Sequence, residues 1–312
     1  MQQGTTVKPV RLGLVGIGKI ARDQHLPAIA DDDRFVLAAT ASRHAQLEGI
    51  DAHHDIADMV AGRALDAVSL CTPPEGRYEQ ALIAIEAGLH VMLEKPPAVS
   101  LSHISELKRA ARRAGVTLFA TWHSREAAGV EPARAWLADR EIREVRIEWR
   151  EDIRRWHPGQ EWILAPGGFG VFDPGINALS IATAILPHAL LLQRATMDVP
   201  EGRASPLAVR MDMHCGAAPV HAHFDFLQTG PQTWTIEVDT DAGTLSLTMG
   251  GSIVQFPGEQ PRTEPDREYP RLYARFAELI AAGESDVDVR PLRLAADAFT
   301  IAERRIIEPF SF

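Results

Sequence analysis

A lysine and an aspartate stand where the sequence could support proton transfer. Lys95 follows an apolar run, residues 90–93, and the two prolines after it fix the local chain. Because ligands bind at the carboxyl ends of buried parallel strands, such a lysine can reach a hydroxyl group of a substrate. Asp173 opens the segment Asp-Pro-Gly-Ile-Asn, in which Asn177 carries a second polar group. We predict that Lys95 and Asp173 are the catalytic residues.

The Asp173 segment also has the features of a helix start. Asp173 suits the N-cap, and Pro174 suits the first position, of a helix that continues to Leu186. Capping would use only the aspartate, whereas Asp173 and Asn177 are four residues apart and would point from one face of the helix. A structural role and a catalytic role for Asp173 therefore both stay open at this point.

Aromatic and polar side chains that suit a sugar recur along the second half of the chain. Ligand sites combine aromatic walls with a few polar groups that fix orientation. A single tryptophan is more often part of a core, so the prediction depends on mixed clusters at residues 122–125, 149–152 and 156–159. We predict that the substrate is bound by His123, Glu151, Trp156, Asn177 and Trp234.

A glycine-rich turn near the N-terminus indicates a dinucleotide site. Gly16-Ile17-Gly18-Lys19-Ile20-Ala21 follows a predicted strand and opens a predicted helix. The first glycine permits a tight turn, the second lets a pyrophosphate approach the backbone, and alanine at the third position allows close helix packing. Free N–H groups at the helix start then bind the phosphates. The motif alone is common, and its place between strand and helix makes it specific.

The end of the second predicted strand bears on which dinucleotide is bound. NAD enzymes usually carry an acidic residue there, about 20 residues after the glycines, for the ribose 2′-hydroxyl. This chain has Ser42 and Arg43, which suit a 2′-phosphate, although Arg43 could also be a solvated charge. We predict NADP as the preferred cofactor, with NAD as a second one. The predicted cofactor-binding residues are Gly16, Gly18, Lys19, Ile20, Ser42, Arg43, Cys71, Thr72, Pro73, Glu94 and Lys95.

Two rhythms of apolar residues divide the chain. In roughly the first 120 residues, nearly continuous apolar runs alternate with helical patterns, as in strands covered on both faces. From about Glu144 apolar residues recur at every second position, which is typical of an antiparallel sheet. Two helical stripes follow, over residues 269–280 and 292–306.

These rhythms predict an α/β protein with two domains. Residues 1–122 form an N-terminal Rossmann domain, a doubly wound parallel sheet that binds the dinucleotide. Residues 123–312 form a C-terminal α+β domain with a large, mainly antiparallel open sheet, for substrate binding and dimerisation.

Composition excludes several classes of function. The 312 residues include 32 basic and 42 acidic ones, and the net charge of −10 argues against nucleic-acid and anionic-membrane partners. We find no apolar run near the ~20 residues of a membrane-spanning helix, and the polar N-terminus does not resemble a signal peptide. Two isolated cysteines favour a reducing compartment, so we expect a cytoplasmic protein. We predict no metal site, because His221, His223 and Asp225 merely alternate along one strand.

Taken together, the motifs resemble those of the Gfo/Idh/MocA oxidoreductase superfamily over nearly the whole chain. The marks are the glycine turn, Cys-Thr-Pro-Pro at 71–74, Glu-Lys-Pro at 94–96 and the helix start at Asp173. Longer segments, including RRWHPGQ and GVFDPGINALSI, are similar to those of its bacterial sugar 1-dehydrogenases. The resemblance implies NAD(P)-dependent oxidation of the anomeric hydroxyl of an aldopyranose, L-arabinose or D-galactose, to the lactone. It also implies a homodimer that associates through the C-terminal sheet.

Two positions depart from the pattern of this superfamily. Many members have a histidine four residues after the aspartate, whereas this chain has Asn177, which cannot act as a general base. The resemblance then shifts proton transfer to Lys95 and Asp173. Arg77 stands where another common histidine is expected, and the sequence offers no physical reason for the change.

Other functions stay open within this resemblance. Some relatives bind dinucleotide and regulate sugar pathways without catalysis, and others are sugar or inositol dehydrogenases with different substrates. An aldose–aldose oxidoreductase with a permanently bound cofactor is a further alternative, which the short N-terminus disfavours. Lys95 and Asp173 favour an enzyme over a regulator. The choice between L-arabinose and D-galactose stays open.

Overall fold

The computed structural model describes residues 8–62 and 64–312 of the chain. The first elements are β1 (Val10–Val15), a π-helical turn (Ala21–His25), α1 (Leu26–Ala30), β2 (Phe35–Ala41), β3 (Asp51–His53), α2 (Ile56–Gly62), β4 (Ala67–Leu70), α3 (Arg77–Glu86), β5 (His90–Leu93), α4 (Leu101–Ala114) and β6 (Leu118–Ala120). They are followed by a 3-10 turn (His123–Glu126), α5 (Val130–Leu137), β7 (Ile142–Arg150), α6 (Ile153–Trp156), a 3-10 turn (Glu161–Leu164) and α7 (Phe172–Ile185). The remaining elements are β8 (Leu190–Pro200), β9 (Ala208–Cys215), β10 (Ala218–Asp225), β11 (Thr233–Thr240), β12 (Gly243–Thr248), a 3-10 turn (Met249–Gly251), β13 (Ile253–Gln255), β14 (Arg262–Thr263), α8 (Glu268–Ala282), α9 (Arg290–Ile301) and β15 (Glu303–Ile307).

The chain folds into two compact units. The first consists of the described residues up to Thr121 together with Tyr269–Asp288, and the second of Trp122–Glu268 and Val289–Phe312. Most of α8 thus returns to the first unit, which the order of the sequence does not reveal. The predicted division after Trp122 into a cofactor-binding and a substrate-binding domain concerns function and stays a prediction.

The first unit contains the predicted parallel sheet, which is confirmed. Its six strands lie in the order β3-β2-β1-β4-β5-β6, and each neighbouring pair is parallel. The chain therefore reverses direction across the sheet between β1 and β4, where doubly wound sheets bind their ligands. Strand β3 and helix α2 were not predicted. The three residues of β3 are mostly polar, so no apolar run marks this strand in the sequence. The apolar stripe of α8, at Tyr269, Leu272, Tyr273, Phe276 and Leu279, belongs to the core of this unit.

The second unit contains a nine-stranded sheet that is mainly antiparallel, as predicted. Its order is β14-β13-β12-β11-β7-β10-β9-β8-β15. Two pairs are parallel, β7 with β10 and β8 with β15, so the sheet is mixed. The alternation along β7 is confirmed, because Val145, Ile147 and Trp149 are buried. The second predicted helix is too long: α9 ends at Ile301, and Ile306 lies in β15, where it is 69% exposed.

Helix α7 packs closely on the sheet of the second unit. The ring of Phe172 meets that of Phe224 edge to face, with centroids 5.8 Å apart. A Cβ atom at Gly175 would lie 2.6 Å from the Phe224 ring, so only glycine allows the first turns of α7 to approach β10. The contact fixes the height of α7 above the sheet, and with it the position of Asp173.

The described residues lack two kinds of feature. Within residues 8–62 and 64–312, no helix has the length and apolar character needed to cross a membrane. The same residues contain no group of three or more His, Cys, Asp or Glu side chains arranged to hold a metal ion. His221 instead pairs with Asp212 at 2.8 Å, and Nδ1 of His223 lies 3.4 Å from Glu148.

Candidate functional site

The glycine turn lies at the point where the sheet of the first unit reverses. Gly16 follows β1 with a φ of +88°, and its N–H donates to the carbonyl of Ala41 at the end of β2 (2.8 Å). A Cβ atom at Gly16 would lie 2.9 Å from Cγ2 and 3.0 Å from the backbone nitrogen of Thr72. Both the backbone conformation and this close approach require glycine. The turn thus holds together the ends of three neighbouring strands.

The rest of the turn has the shape that a dinucleotide requires. A Cβ atom at Gly18 would have no protein atom within 4 Å, so the backbone there borders open space. Helical structure begins at Lys19. Ala21, in the first turn, is fully buried and lets the helix pack closely. Lys19 is exposed and paired with Asp23, and Ile20 is 36% exposed. These features fit a pyrophosphate against the backbone at Gly18.

Ser42 and Arg43 lie at the end of β2, beside the glycine turn. Strand β2 is the neighbour of β1, so their carboxyl ends share one edge of the sheet. The N–H of Ser42 donates to the carbonyl of His53 (3.0 Å), which anchors the backbone at this position. Ser42 is half-buried and Arg43 is exposed. The two side chains are placed where an adenosine ribose would lie in a doubly wound sheet.

Arg77 connects the chain segments that follow β4 and β5. Its side chain is buried, and its guanidinium donates hydrogen bonds to the carbonyl oxygens of Thr72, Glu94 and Pro96. A planar guanidinium with several donors can bind three carbonyls at once, which one imidazole cannot do. This contact is the physical reason for arginine at position 77, which the sequence did not supply.

Three of the predicted cofactor positions follow β4. Cys71 is 8% exposed, with Sγ 3.8 Å from Oγ of Ser69. Thr72 is half-buried and donates from Oγ1 to Oε1 of Gln80 (2.7 Å), whereas Pro73 is exposed. Their side chains thus range from the interior to the surface, and their roles in cofactor binding stay predictions.

Glu94 directly precedes Lys95, and its carboxylate contacts hydrogen-bonding groups from several elements. Its Oε1 atom accepts from the hydroxyl of Tyr269 (2.7 Å) and lies 3.0 Å from Nε2 of His25. Its Oε2 atom accepts the backbone N–H of Lys95 (2.9 Å). Nδ1 of His25 lies 2.8 Å from the hydroxyl of Tyr273. The Glu94 carboxylate is 4% exposed and faces this network, so it orients the backbone of the half-buried Lys95.

The pKa of His25 reflects this surrounding. Burial, the largest single effect, lowers the pKa of His25, because desolvation disfavours the charged imidazolium. The nearby Cys71 and Tyr273, together with the hydrogen bond to Glu94, outweigh burial and raise the pKa of His25 well above its ordinary value. The network therefore favours an imidazolium beside the Glu94 carboxylate.

A second cluster of polar groups forms within the second unit. Glu151, at the end of β7, is 2% exposed, and its Oε2 atom accepts from Nε1 of Trp234 (2.9 Å). Nε2 of His157 lies 3.4 Å from Oε1 of Glu151 and 3.9 Å from Oδ2 of Asp173. Three of the predicted site residues, Glu151, Asp173 and Trp234, are thus brought together through direct contacts and His157.

Tryptophan rings line this cluster. Trp234 on β11 stacks on its cross-strand partner Trp149 on β7, with centroids 5.9 Å apart. The ring of Trp156, at the end of α6, lies 5.1 Å from that of Trp234 at an angle of 49°. Trp156 and Trp234 are half-buried, whereas Trp149 is 3% exposed. Trp149 is thus a core residue that supports Trp234, whereas the rings of Trp156 and Trp234 stay partly exposed, and their roles in substrate binding stay predictions.

The helix at Asp173 begins differently from the prediction. Helix α7 starts at Phe172, and Val171 occupies the N-cap, so the predicted N-cap role of Asp173 is wrong. Asp173 lies inside the first turn, where its N–H donates to the carbonyl of Gly170 (2.9 Å). Its carboxylate is therefore available for contacts such as the one with His157. The helix N-terminus favours the negative charge at this position.

Asn177 and His123 occupy separate surroundings in the second unit. Every residue from Phe172 to Thr183 is buried except Asn177, which is half-buried one turn after Asp173. Nδ1 of His123 lies 2.6 Å from Oε2 of Glu268, and the hydroxyl of Ser124 lies 3.4 Å from the same nitrogen. Asn177 thus reaches a surface from an otherwise buried helix, and His123 belongs to an ion pair with Glu268.

Several residues with a place in these clusters were outside the predicted site. The network around Glu94 in the first unit includes Arg77, His25 and the two tyrosines of α8. In the second unit, His157 contacts the carboxylates of Glu151 and Asp173. His157 had a visible signal, because it directly follows the predicted ligand Trp156. The tyrosines had none, since they fall on an ordinary apolar helical stripe far along the chain.

Comparison with known proteins gives a consistent result. Residues 10–121 match the Gfo/Idh/MocA model, an oxidoreductase family with an NAD-binding Rossmann fold. The chain is 40% identical to the galactose 1-dehydrogenase of Pseudomonas fluorescens over 307 residues, covering 97% of this chain and 99% of that one.

Solved structures extend the comparison to three dimensions. The crystal structure of D-galactose-1-dehydrogenase from Rhizobium etli is 50% identical with a TM-score of 0.94, covering 98% of this chain and 99% of that one. KijD10, a 3-ketoreductase from Actinomadura kijaniata crystallised with NADP, is 19% identical with a TM-score of 0.80, covering 96% of this chain and 99% of that one. The likeness to KijD10 concerns the fold alone. From its matching domain and its near full-length similarity to an established member, the chain belongs to the Gfo/Idh/MocA family of oxidoreductases.

Proposed function

We propose that this protein oxidises the anomeric hydroxyl of D-galactose or L-arabinose to the corresponding lactone, with NADP as the preferred hydride acceptor. The observation that carries the proposal is the cluster of Glu151, His157 and Asp173 beside the half-buried rings of Trp156 and Trp234. Buried carboxylates suit the hydroxyls of a sugar, and tryptophan rings suit its apolar face. The names of the two similar galactose dehydrogenases support the same substrate class.

The reaction separates a hydride from a proton. The anomeric carbon loses its hydrogen with the electron pair, the hydroxyl loses its proton, and the carbon–oxygen bond becomes the double bond of the lactone. NADP, when bound, supplies the acceptor for the hydride. Lys95 or Asp173 takes the proton, and Glu151, Asn177 and His123 orient the remaining hydroxyls.

The preference for NADP follows from the end of β2. Ser42 offers a hydroxyl and Arg43 a guanidinium that is exposed and so accessible to a phosphate. A carboxylate at this position would favour NAD instead. We expect Arg43→Ala to raise the KM for NADP about tenfold, the loss of one charged contact, and to leave the KM for NAD unchanged. Arg112→Ala, which removes an exposed arginine of α4, is the matched control.

Initial rates of reduced-cofactor formation test the proposal. NADP and NAD are each combined with D-galactose, L-arabinose, D-xylose, D-glucose and myo-inositol. We expect turnover with the first two sugars and faster rates with NADP. Turnover with myo-inositol alone would assign a different substrate, and absence of turnover with dinucleotide still bound would identify a non-catalytic regulator.

One variant and its control test the role of Lys95 in proton transfer. Lys95→Ala should lower kcat about 1,000-fold and change the dissociation constant of NADP little, since general acid–base groups contribute roughly 100- to 10,000-fold. Lys108→Ala, an exposed lysine of α4, serves as the control. Unchanged turnover in Lys95→Ala would remove Lys95 from the mechanism.

We further infer that the protein is a homodimer in the cytoplasm and that two copies meet through the sheet of the second unit. The inference is supported by exposed apolar side chains on the edge strand β15 and on its neighbour β8: Ile306 is 69% and Leu191 62% exposed. Light scattering during gel filtration measures the mass in solution. We expect a dimer that Ile306→Glu converts to a monomer, and a monomeric parent protein would refute the inference.

A further inference from the structure

His157 is placed against two carboxylates at once. Its Nε2 atom is 3.4 Å from Oε1 of Glu151 and 3.9 Å from Oδ2 of Asp173, separations longer than those of short hydrogen bonds. The Glu151 side chain is 3% exposed and that of Asp173 is 10% exposed, so water screens their negative charges poorly. Two negatively charged carboxylates in such surroundings repel each other, and a hydrogen-bond donor between them reduces this repulsion.

The imidazole is held in this position from several sides. The N–H of His157 donates to the carbonyl of Ile153 at the end of α6 (2.8 Å), which fixes the backbone. The ring of Phe226 meets the imidazole edge to face, with centroids 5.5 Å apart. These two contacts fix the position and the plane of the ring, so that Nε2 faces Glu151 and Asp173.

The charged groups around the imidazole come from three elements. Glu151 lies at the end of β7 and Asp173 on α7, and both face Nε2. On α6 itself, Arg154 lies 4.0 Å from Asp152, and the Arg155 guanidinium lies over the ring of Trp156. The contacts of Nε2 are therefore with the carboxylates, and the arginines of α6 contact other groups.

We propose that His157 is a positioning residue that keeps Asp173 and Glu151 ionised side by side. One N–H at Nε2 is attracted to both carboxylates and favours their charged forms. Asp173 then stays a proton acceptor for the sugar hydroxyl, and Glu151 stays a hydrogen-bond acceptor for another hydroxyl. The proposal rests on the proposed function, in which both residues contact the sugar.

The pH dependence of turnover tests this role. His157→Phe keeps an aromatic ring but removes the donor, and His157→Gln keeps an N–H donor. With D-galactose and NADP, we expect His157→Phe to move the acid limb of kcat/KM up by about one pH unit. At a pH on this acid limb its kcat falls up to about tenfold, recovers at alkaline pH, and changes more than the KM for galactose. His157→Gln gives an intermediate profile, and His54→Phe, which makes the same change at a side chain that is 70% exposed, keeps the limb of the parent enzyme.

A second measurement does not depend on activity. In protein with ¹³C-labelled aspartate carboxyls, the Asp173 signal is identified by its loss in Asp173→Asn. We expect its titration midpoint to be higher in His157→Phe than in the parent protein, and to be largely restored in His157→Gln. An unshifted midpoint, or a loss confined to the KM for sugar, would overturn the proposal. If the parent protein oxidises no sugar while the midpoint still shifts, the proposed substrate is wrong and the role of His157 stands. If His157→Phe fails to fold, His157→Ala, which also removes the donor, replaces it in both measurements.

Discussion

The guanidinium of Arg77 donates a hydrogen bond to the backbone carbonyl of Glu94, the residue directly before Lys95. The same side chain also binds the carbonyls of Thr72 and Pro96, so it fixes the segments after two neighbouring strands. A buried cation thus lies at the sheet edge where β4 and β5 end, which is the predicted cofactor-binding edge of the first unit. This arrangement makes the position of Lys95 dependent on a residue that never needs to touch a ligand.

Replacement of Arg77 should therefore destabilise the first unit. Arg77→Met leaves the carbonyls of Thr72, Glu94 and Pro96 without this donor, and we expect the free energy of unfolding to fall by about 3 kcal/mol. Arg77→Lys should recover only part of this loss, because an ammonium cannot reproduce the planar fork. Urea denaturation measures both values, with Arg112→Met as the exposed control. A midpoint for Arg77→Met equal to that of the parent protein would contradict the expectation.

Gly16 and Gly18 should fail in different ways when replaced by alanine. Gly16→Ala places a Cβ atom 2.9 Å from Thr72 and strains a residue with φ of +88°, so we expect a loss of about 2 kcal/mol in stability. Gly18→Ala meets no protein atom within 4 Å, so stability should be kept while the dissociation constant of NADP rises at least tenfold. Thermal unfolding and fluorescence titration separate the two. Equal melting temperatures for both variants would show that the close approach at Thr72 is not limiting.

The parts of the fold that follow from local patterns were predictable. Apart from β3, the strands of the parallel sheet are short and mostly apolar. Gly115 ends α4 in a left-handed conformation, as its sequence position indicates. The alternation of buried and more exposed side chains along β7 follows from the two-residue repeat of a β-strand. In contrast, β15 reads as a continuation of α9, because Ile306 extends the helical stripe and nothing local marks the break at Ala302.

The candidate site was predictable only where a motif carries its own chemistry. Lys95, Asp173 and the glycine turn have such motifs. The network around Glu94 has none, because Tyr269 lies 175 residues further along the chain and reaches Glu94 only through the packing of α8. Asp173 shows the limit of local rules: Asp-Pro is typical of an N-cap, but the N-cap lies two residues earlier at Val171, and the Asp173 carboxylate contacts His157.

The raised pKa of His25 predicts how stability depends on pH. A histidine whose pKa is higher in the folded protein than in the unfolded chain stabilises the fold fully below about pH 6.5. This stabilisation is lost as pH rises through the folded value. The difference in unfolding free energy between the parent protein and His25→Gln should therefore be largest in mild acid and shrink towards alkaline pH.

Urea denaturation between pH 5.5 and pH 10 measures this difference. His54→Gln is the matched control, because the His54 side chain is 70% exposed. A difference for His25→Gln that stays constant across this range would mean that the pKa of His25 is the same in the folded protein and in the unfolded chain. A difference that grows with pH would mean that burial outweighs Cys71, Tyr273 and Glu94.

The hydrogen bond from Trp234 to Glu151 should contribute to sugar binding and not to cofactor binding. Trp234→Phe keeps the stack on Trp149 but removes the N–H that Glu151 accepts at 2.9 Å. Loss of a bond to a charged group costs about 1.5 kcal/mol, so we expect the KM for galactose to rise about tenfold. Trp136→Phe on α5, whose ring packs on Phe256, is the control for loss of an indole N–H. Steady-state kinetics with each substrate varied in turn give both KM values. Since Glu151 and Trp234 lie within the second unit, an equal rise in the KM for NADP would show that the cluster does not act on the sugar alone.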